Sequence, residues 1–258
     1  MPERYASLKQ GLVGAWIPSV SGSGFLLPDL SGYGNHGTLT NMAADDWVSA
    51  QYGRALDFDG SNDRVVIADN DVFSFVSKPF TISVFAKTST ASDKPIVSKS
   101  FAQFSYEWSL TFGNDISIVG WTSGQGANFW GALASGTFAD NKWHNVSALY
   151  DGGNSWTSFS IYLDGVKQVT TQLGAPTGSL ANTTANLFIG AGLIGDIFSA
   201  YFNGQLDDIR IYNRALSDSE IRILAQRPGI GLRQDRDRQT FYQFPSGSRR
   251  RLLLTGQT

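Results

Sequence analysis

Carboxylates are the groups best placed to do chemistry in this chain, because little else is supplied. It has no cysteine and only two histidines, His36 and His144, in 258 residues. Thiolate nucleophiles, disulfide frameworks and zinc sites therefore lack raw material, and a Ser–His triad is poorly supported. In the stretch YFNGQLDDIRIY, Asp207 shares parity with Ile209 and Ile211, which predicts an inward-pointing side chain. A buried carboxylate needs a partner: a cation, an arginine or several backbone N–H groups. Asp29 opens a second candidate, Asp29-Leu30-Ser31-Gly32-Tyr33-Gly34-Asn35-His36-Gly37. Its closely spaced glycines permit positive φ and let carbonyls turn toward a common centre. Asp29 and Asn35 offer hard oxygens of the kind Ca²⁺ takes, and His36 reads as a loop residue because calcium prefers oxygen.

Acid–base hydrolysis of glycosides needs two carboxyls, about 5–5.5 Å apart for retention and wider for inversion. The glutamates are Glu3, Glu107 and Glu220. Glu3 lies in the leading segment and Glu220 in a capping box, so neither supplies a pair. Glu107 falls on the polar parity of its strand with Ser105 and Ser109. There it either binds a ligand hydroxyl or sits on a solvated sheet face. Trp121 and Trp130 fall on the parity opposite Ile116/Ile118 and Phe129/Leu133, and Trp156 is near a turn. Tryptophans on a polar face either stack on sugar rings or cover a second sheet or an oligomer interface. His144 shares parity with Val146, Ala148 and Tyr150, so a satisfied core histidine is expected.

The elements that must position these residues are strands. Gly is abundant at 28 residues, aromatics reach 13% and charged residues only 16%, as many strands joined by tight turns require. GLVGAWI reads as a first strand covered on both faces. Phe80, Ile82, Val84 and Ala86 line one face of another, and Phe104, Tyr106, Trp108, Leu110 and Phe112 alternate with polar residues. Asp164-Gly165 marks a hairpin. Roughly twelve to fourteen strands are expected, too many for one open sheet, so two packed antiparallel sheets are predicted. Ser217-Asp218-Ser219-Glu220 is a capping box that starts a short helix ended by Pro228-Gly229.

These motifs also carry a resemblance. Gly204-Gln205-Leu206-Asp207-Asp208-Ile209-Arg210-Ile211-Tyr212-Asn213-Arg214-Ala215-Leu216-Ser217 resembles the closing strand of LamG-like jelly rolls, in the concanavalin A-like lectin/glucanase superfamily. The Asp29–Gly37 turn, the Gly53-to-Asp63 hairpin and the Trp143-His144 strand are similar to further family patterns, and the likeness spans about residues 8–226. It implies an all-β, two-sheet antiparallel jelly-roll sandwich with one short C-terminal helix and an extended tail, its first strand beside its closing strand. It also implies one structural Ca²⁺ held by Asp29, backbone oxygen near Gly34, and Asp207. The glucanases of this fold place catalytic carboxylates as a Glu-x-Asp-x-(x)-Glu run, which this chain lacks, so the expectation is a non-enzyme.

Two segments follow: a domain over residues 1–226 and a basic, apolar-tipped arm over residues 227–258. Residues 222–258 carry eight arginines against two aspartates, a net +6 that leaves −8 for the rest. Phe241, Tyr242 and Phe244 could anchor the arm, and Arg249, Arg250, Arg251 precede Leu252, Leu253 and Leu254. Leucines at a free terminus gain nothing in water, so a docking partner is expected. With no nucleic-acid module recognised, an acidic protein surface fits the arginines at least as well as phosphate does. No stretch is long enough to span a membrane and no signal peptide is visible. The function expected is a surface-displayed, non-catalytic binding or decoration module. Its preferred setting is a phage virion, anchored through the arm to a homo-oligomer or a capsid or tail protein. The alternative is a soluble lectin-like glycan binder of a cell surface or secreted system.

Overall fold

The computed structural model describes residues 5–101, 105–122, 128–175, 178–194 and 197–232. The arm residues singled out above, within 241–254, lie outside them. In chain order the strands are β1 (Leu12–Trp16), β2 (Leu26–Leu27), β3 (Gly37–Thr40), β4 (Trp47–Ala50), β5 (Gly53–Asp59), β6 (Arg64–Ile67), β7 (Phe80–Lys87), β8 (Lys94–Phe101), β9 (Ser105–Phe112) and β10 (Ile116–Trp121). There follow β11 (Phe129–Ala134), β12 (His144–Tyr150), β13 (Phe159–Leu163), β14 (Val166–Lys167), β15 (Thr171–Gly174), β16 (Leu187–Ile189), β17 (Ala191–Ile194), β18 (Ile197–Tyr201) and β19 (Asn203–Tyr212), then helix α1 (Asp218–Leu224).

Two sheets face each other. The first runs β14-β13-β12-β7-β19-β5-β4, with β1 also paired to β19; the second runs β15-β11-β10-β9-β8-β16-β6-β3-β2. All pairings are antiparallel, the sandwich expected. The first strand does lie beside the closing one, with Trp16 opposite Ile209, and β1 is buried throughout. Between the sheets sits one continuous core of Trp16, Leu56, Phe58, Ile82, Trp108, Leu110, Ile118, Ile211 and their neighbours.

A second apolar cluster covers the outer face of the first sheet, where Leu8, Leu12, Tyr212, Ile221, Leu224 and Ile230 meet beneath α1. The helix starts as its sequence dictates. Glu220 N–H donates to Ser217 Oγ at 3.3 Å, and Ser217 N–H donates to Glu220 Oε2 at 3.0 Å. Arg214 then grips both oxygens of Glu220 at 2.9 and 2.7 Å. The chain beyond the helix still belongs to this layer, because Ile230 is buried and Gly229 N–H donates to Asp208 Oδ2 at 2.7 Å.

Strand β19 is not regular. Asp207 pairs with Phe85 but Arg210 pairs with Ser83, so β19 spends one residue more than β7 over that interval. Asp208 takes φ 47° there. This is a β-bulge, and it reverses the parity of side chains across it. Leu206 before it and Ile209 and Ile211 after it all face the core.

Candidate functional site

The bulge corrects the reading of Asp207. Alternation places it on the core side with Ile209, but the extra residue puts it on the outer face of the first sheet beside its pairing partner Phe85. It is nevertheless buried, at 2% exposure. Its Oδ1 accepts Ser19 N–H at 3.1 Å and Asp208 N–H at 2.8 Å. Of the three partners a buried carboxylate could take, the structure uses backbone N–H groups. The arginine of the same strand belongs to Asp208, whose oxygens receive Arg210 Nε at 2.6 Å and Nη2 at 2.9 Å.

Asp207 lines a small cleft with Ala50, Gln51, Tyr52, Phe85, Trp143 and Pro228. The neighbours come from the end of β4 and the β4–β5 turn, from β7, from the residue before β12 and from the segment after α1, so sheet order and the chain leaving α1 together bring them into one place. Tyr52 is partly exposed and Trp143 half-buried. Burial, and then the charge of Asp208, push the Asp207 carboxyl up to about 7, against the pull of its N–H donors. The cleft thus sets two aromatic side chains beside one buried, perturbed carboxyl.

The calcium expectation meets a saturated donor set. Asp29 Oδ1 accepts Ala15 N–H at 3.0 Å and Ser31 N–H at 2.8 Å; Oδ2 accepts Ser31 O–H at 2.8 Å and Asn35 N–H at 3.0 Å. Two carboxylate oxygens offer about four acceptor positions, and four protein donors fill them. The Asn35 carbonyl accepts Trp16 Nε1–H and the Gly34 carbonyl accepts His36 N–H. His36 itself, the loop residue expected, accepts Asp29 N–H through Nδ1 at 3.0 Å. Asp29 and Asp207 bond different parts of the chain leaving β1, at Ala15 and Ser19. Among the described residues no three His, Cys, Asp or Glu gather as a metal set. Here both oxygens of Asp29 serve protein donors rather than a cation.

Residues 59–222 match the concanavalin A-like lectin/glucanases superfamily. The chain belongs to that superfamily. No curated protein matches it in sequence. Among solved structures, the binding domain of Paraclostridial Mosquitocidal Protein 1 superposes with TM-score 0.62 at 18% identity, over 84% of this chain and 52% of that one. The receptor-binding domain of botulinum neurotoxin D gives 0.58 at 14% identity, over 85% and 53%. A structure of botulinum neurotoxin type C, titled for the dependence of cell entry on two ganglioside molecules, gives 0.58 at 18%, over 85% and 52%. The chain thus spans about half the length of the structures it resembles.

Within this jelly roll the other predicted ligand residues do not converge. Trp130 is a correction: it is fully buried, in the core with Ala132 and Ala134, while Phe129 is exposed. Small alanines leave room for the indole against Tyr150 and Phe159, with ring centroids 5.9 and 5.0 Å away. Trp121 does take the outer face, next to Phe129. Trp156 sits half-buried in a 3-10 turn. Glu107 is a second correction, since it is fully buried rather than on a solvated face. Lys99 pairs with Trp108 and Ser100 with Tyr106, which leaves Glu107 as the extra residue of another bulge. His144 is satisfied as expected, but at the sandwich rim: Nδ1 lies 2.8 Å from Asp164 Oδ2 and Nε2 lies 3.1 Å from Asp140 Oδ1. It keeps the core parity of its strand at a strand end, where the core gives way to loops. Among the described residues no helix is long and apolar enough to cross a membrane.

Proposed function

We propose that the chain is a non-catalytic binding module that takes a saccharide at the Asp207 cleft. The observation that carries this reading is one cleft lined by a perturbed carboxyl and by Tyr52 and Trp143. Aromatic faces accept the apolar side of a sugar ring, and a carboxyl accepts or donates to its hydroxyls. The likeness to a toxin binding domain, to a neurotoxin receptor-binding domain and to a neurotoxin whose cell entry depends on gangliosides supports a sugar-bearing receptor as ligand. Hydrolysis is disfavoured because Asp207 is the one acid among the cleft-lining residues and its neighbour Asp208 is committed to Arg210. The test is titration of the full chain with an oligosaccharide panel, followed by tryptophan fluorescence. Trp143→Ala is expected to weaken binding by about 2 kcal/mol, roughly 30-fold. Unchanged affinity, or no binding across the panel, rejects the cleft.

Display at a virion or other extracellular surface, with residues 227–258 as the docking arm, is part of the same proposal. Its support is the opposed charge of arm and body, +5 for residues 227–258 against −7 for residues 1–226. Because Ile230 is buried, the informative truncation ends at Leu232. Light scattering of the full chain and this truncation decides: an oligomer that becomes a monomer supports a docking arm, and two monomers favour a lone lectin-like binder.

A further inference from the structure

Away from the cleft lies a cluster that ligand binding does not use. Lys99 is fully buried on β8, and its ammonium touches three acceptors. They are Asp69 Oδ1 at 2.6 Å, the Ala185 carbonyl at 2.8 Å and Glu107 Oε1 at 3.0 Å. Glu107 is fully buried too. Its Oε1 also accepts Thr183 N–H at 2.8 Å, Thr183 O–H at 3.0 Å and Ser74 O–H at 3.2 Å, whereas Oε2 has no partner. The cross-strand neighbours are apolar: Lys99 stands opposite Trp108 on one side and Leu187 on the other. Asp69 closes the cluster with a side chain 29% exposed. Holding these charges together away from water carries a desolvation cost that their contacts must offset. Burial pushes the Glu107 carboxyl up even though Lys99 pulls it down.

We propose that Lys99 and Asp69 condense into an intramolecular isopeptide bond, with Glu107 transferring the protons. Lys99 Nζ is the nucleophile. The electrophile is Asp69 Cγ, one covalent bond beyond the oxygen already in contact. Glu107 Oε1 takes a proton from the ammonium and frees the nitrogen lone pair. Nζ adds to Cγ, forming the C–N bond. The protons lost from nitrogen pass, through Glu107, to the departing Asp69 oxygen. The C–O bond breaks with its electron pair on oxygen, which leaves as water. One ammonium and one carboxylate become one amide and one water; Glu107 ends as it began, and no other reactant is needed.

The site favours this outcome in two ways. Fixed contact replaces a bimolecular encounter, and a neutral amide replaces two charges that desolvation penalises. The link would close the segment 69–99. It would tie the end of β6 to β8 across β16, where Ile67, Leu187 and Lys99 stand in one row.

The test is the intact mass of the denatured full chain, followed by a tryptic map. The wild type is expected to be lighter than its sequence by one water, with a branched peptide joining the Asp69 and Lys99 segments. Glu107→Gln and Lys99→Arg are expected at their full calculated masses. Asp69→Asn, whose leaving group is ammonia, is expected lighter by one ammonia. A wild type at full mass with a free Lys99 overturns the proposal. So does a water loss mapped to a succinimide at Asp59, Asp151 or Asp164, each followed by glycine. The wild-type map decides even where a variant fails to fold.

Discussion

Replacing Asp207 with asparagine should flatten the pH dependence of stability that this residue imposes. In the folded chain, burial and then Asp208 raise the carboxyl from 3.8 to about 7. A carboxyl that binds its proton more tightly folded than unfolded stabilises the fold fully below its unfolded pKa. That contribution is lost as pH rises through the folded value. At about 1.4 kcal/mol per pH unit, the loss approaches ~4 kcal/mol between about pH 4 and 7. Asparagine keeps an oxygen for the Ser19 and Asp208 N–H groups and carries no charge. The assay is urea unfolding of wild type and Asp207→Asn across this range, compared at equal m. The variant's advantage should grow by about 2–4 kcal/mol from about pH 5 to about pH 8. Every other titrating group is common to both proteins and cancels in the difference. Parallel profiles would refute the reasoning, showing that the two N–H donors hold Asp207 as an anion throughout.

Other consequences follow from the same physics. Asp164 and, more weakly, Asp140 raise the pKa of His144 above 6.5 against its burial. This support is therefore full below about pH 6.5 and lost as pH climbs through the folded value. His144→Gln should remove that part of the Tm–pH profile, and an unchanged slope would count against the bridge. Lys142, 2.7 Å from Asp140, shares that carboxylate and stays charged throughout the window. Asp208→Asn should cost about 3–5 kcal/mol in urea unfolding, because it strands a fully buried guanidinium whose Nη1 has no partner. A loss under about 1 kcal/mol would show that Arg210 finds other acceptors, and adding Arg210→Met should recover most of the cost.

The sandwich was readable because its local rules agree. Period-two alternation gave β7, β9 and the closing strand, and S-x-x-E gave the helix start. Burial on both faces of GLVGAW followed from its lack of a polar parity. Trp130 was misread because its strand offers large residues on both parities, and only the facing Tyr150 and Phe159 show that the core wants an indole flanked by alanines. The cleft was illegible, since nothing in the spacing of residues 52, 143 and 207 relates them before the order of the sheet is known. Lys99 did carry a signal: it shares parity with Val97 and follows Pro95-Ile96-Val97-Ser98, a run of apolar or small residues, and a lysine there demands a partner.

Both misplaced acids, Asp207 and Glu107, sit at bulges, and the coincidence has a physical basis. An extra residue leaves composition and apolar spacing almost untouched, yet it reverses which face each later side chain takes. Skipping Asp208 restores perfect alternation in β19: Leu206, Ile209 and Ile211 inward, Asp207 and Arg210 outward. Asp208 is therefore an insertion into an otherwise regular strand, held at a positive φ that costs a non-glycine residue energy. What it does there is specific. Its carboxylate neutralises Arg210 and receives Gly229 N–H, and its own N–H bonds Asp207 at the cleft. A regular strand would supply the same core without that set of contacts. The bulge thus sacrifices some sheet regularity to seat one acid in the cleft and to pin the segment after α1, which carries Pro228, against its side.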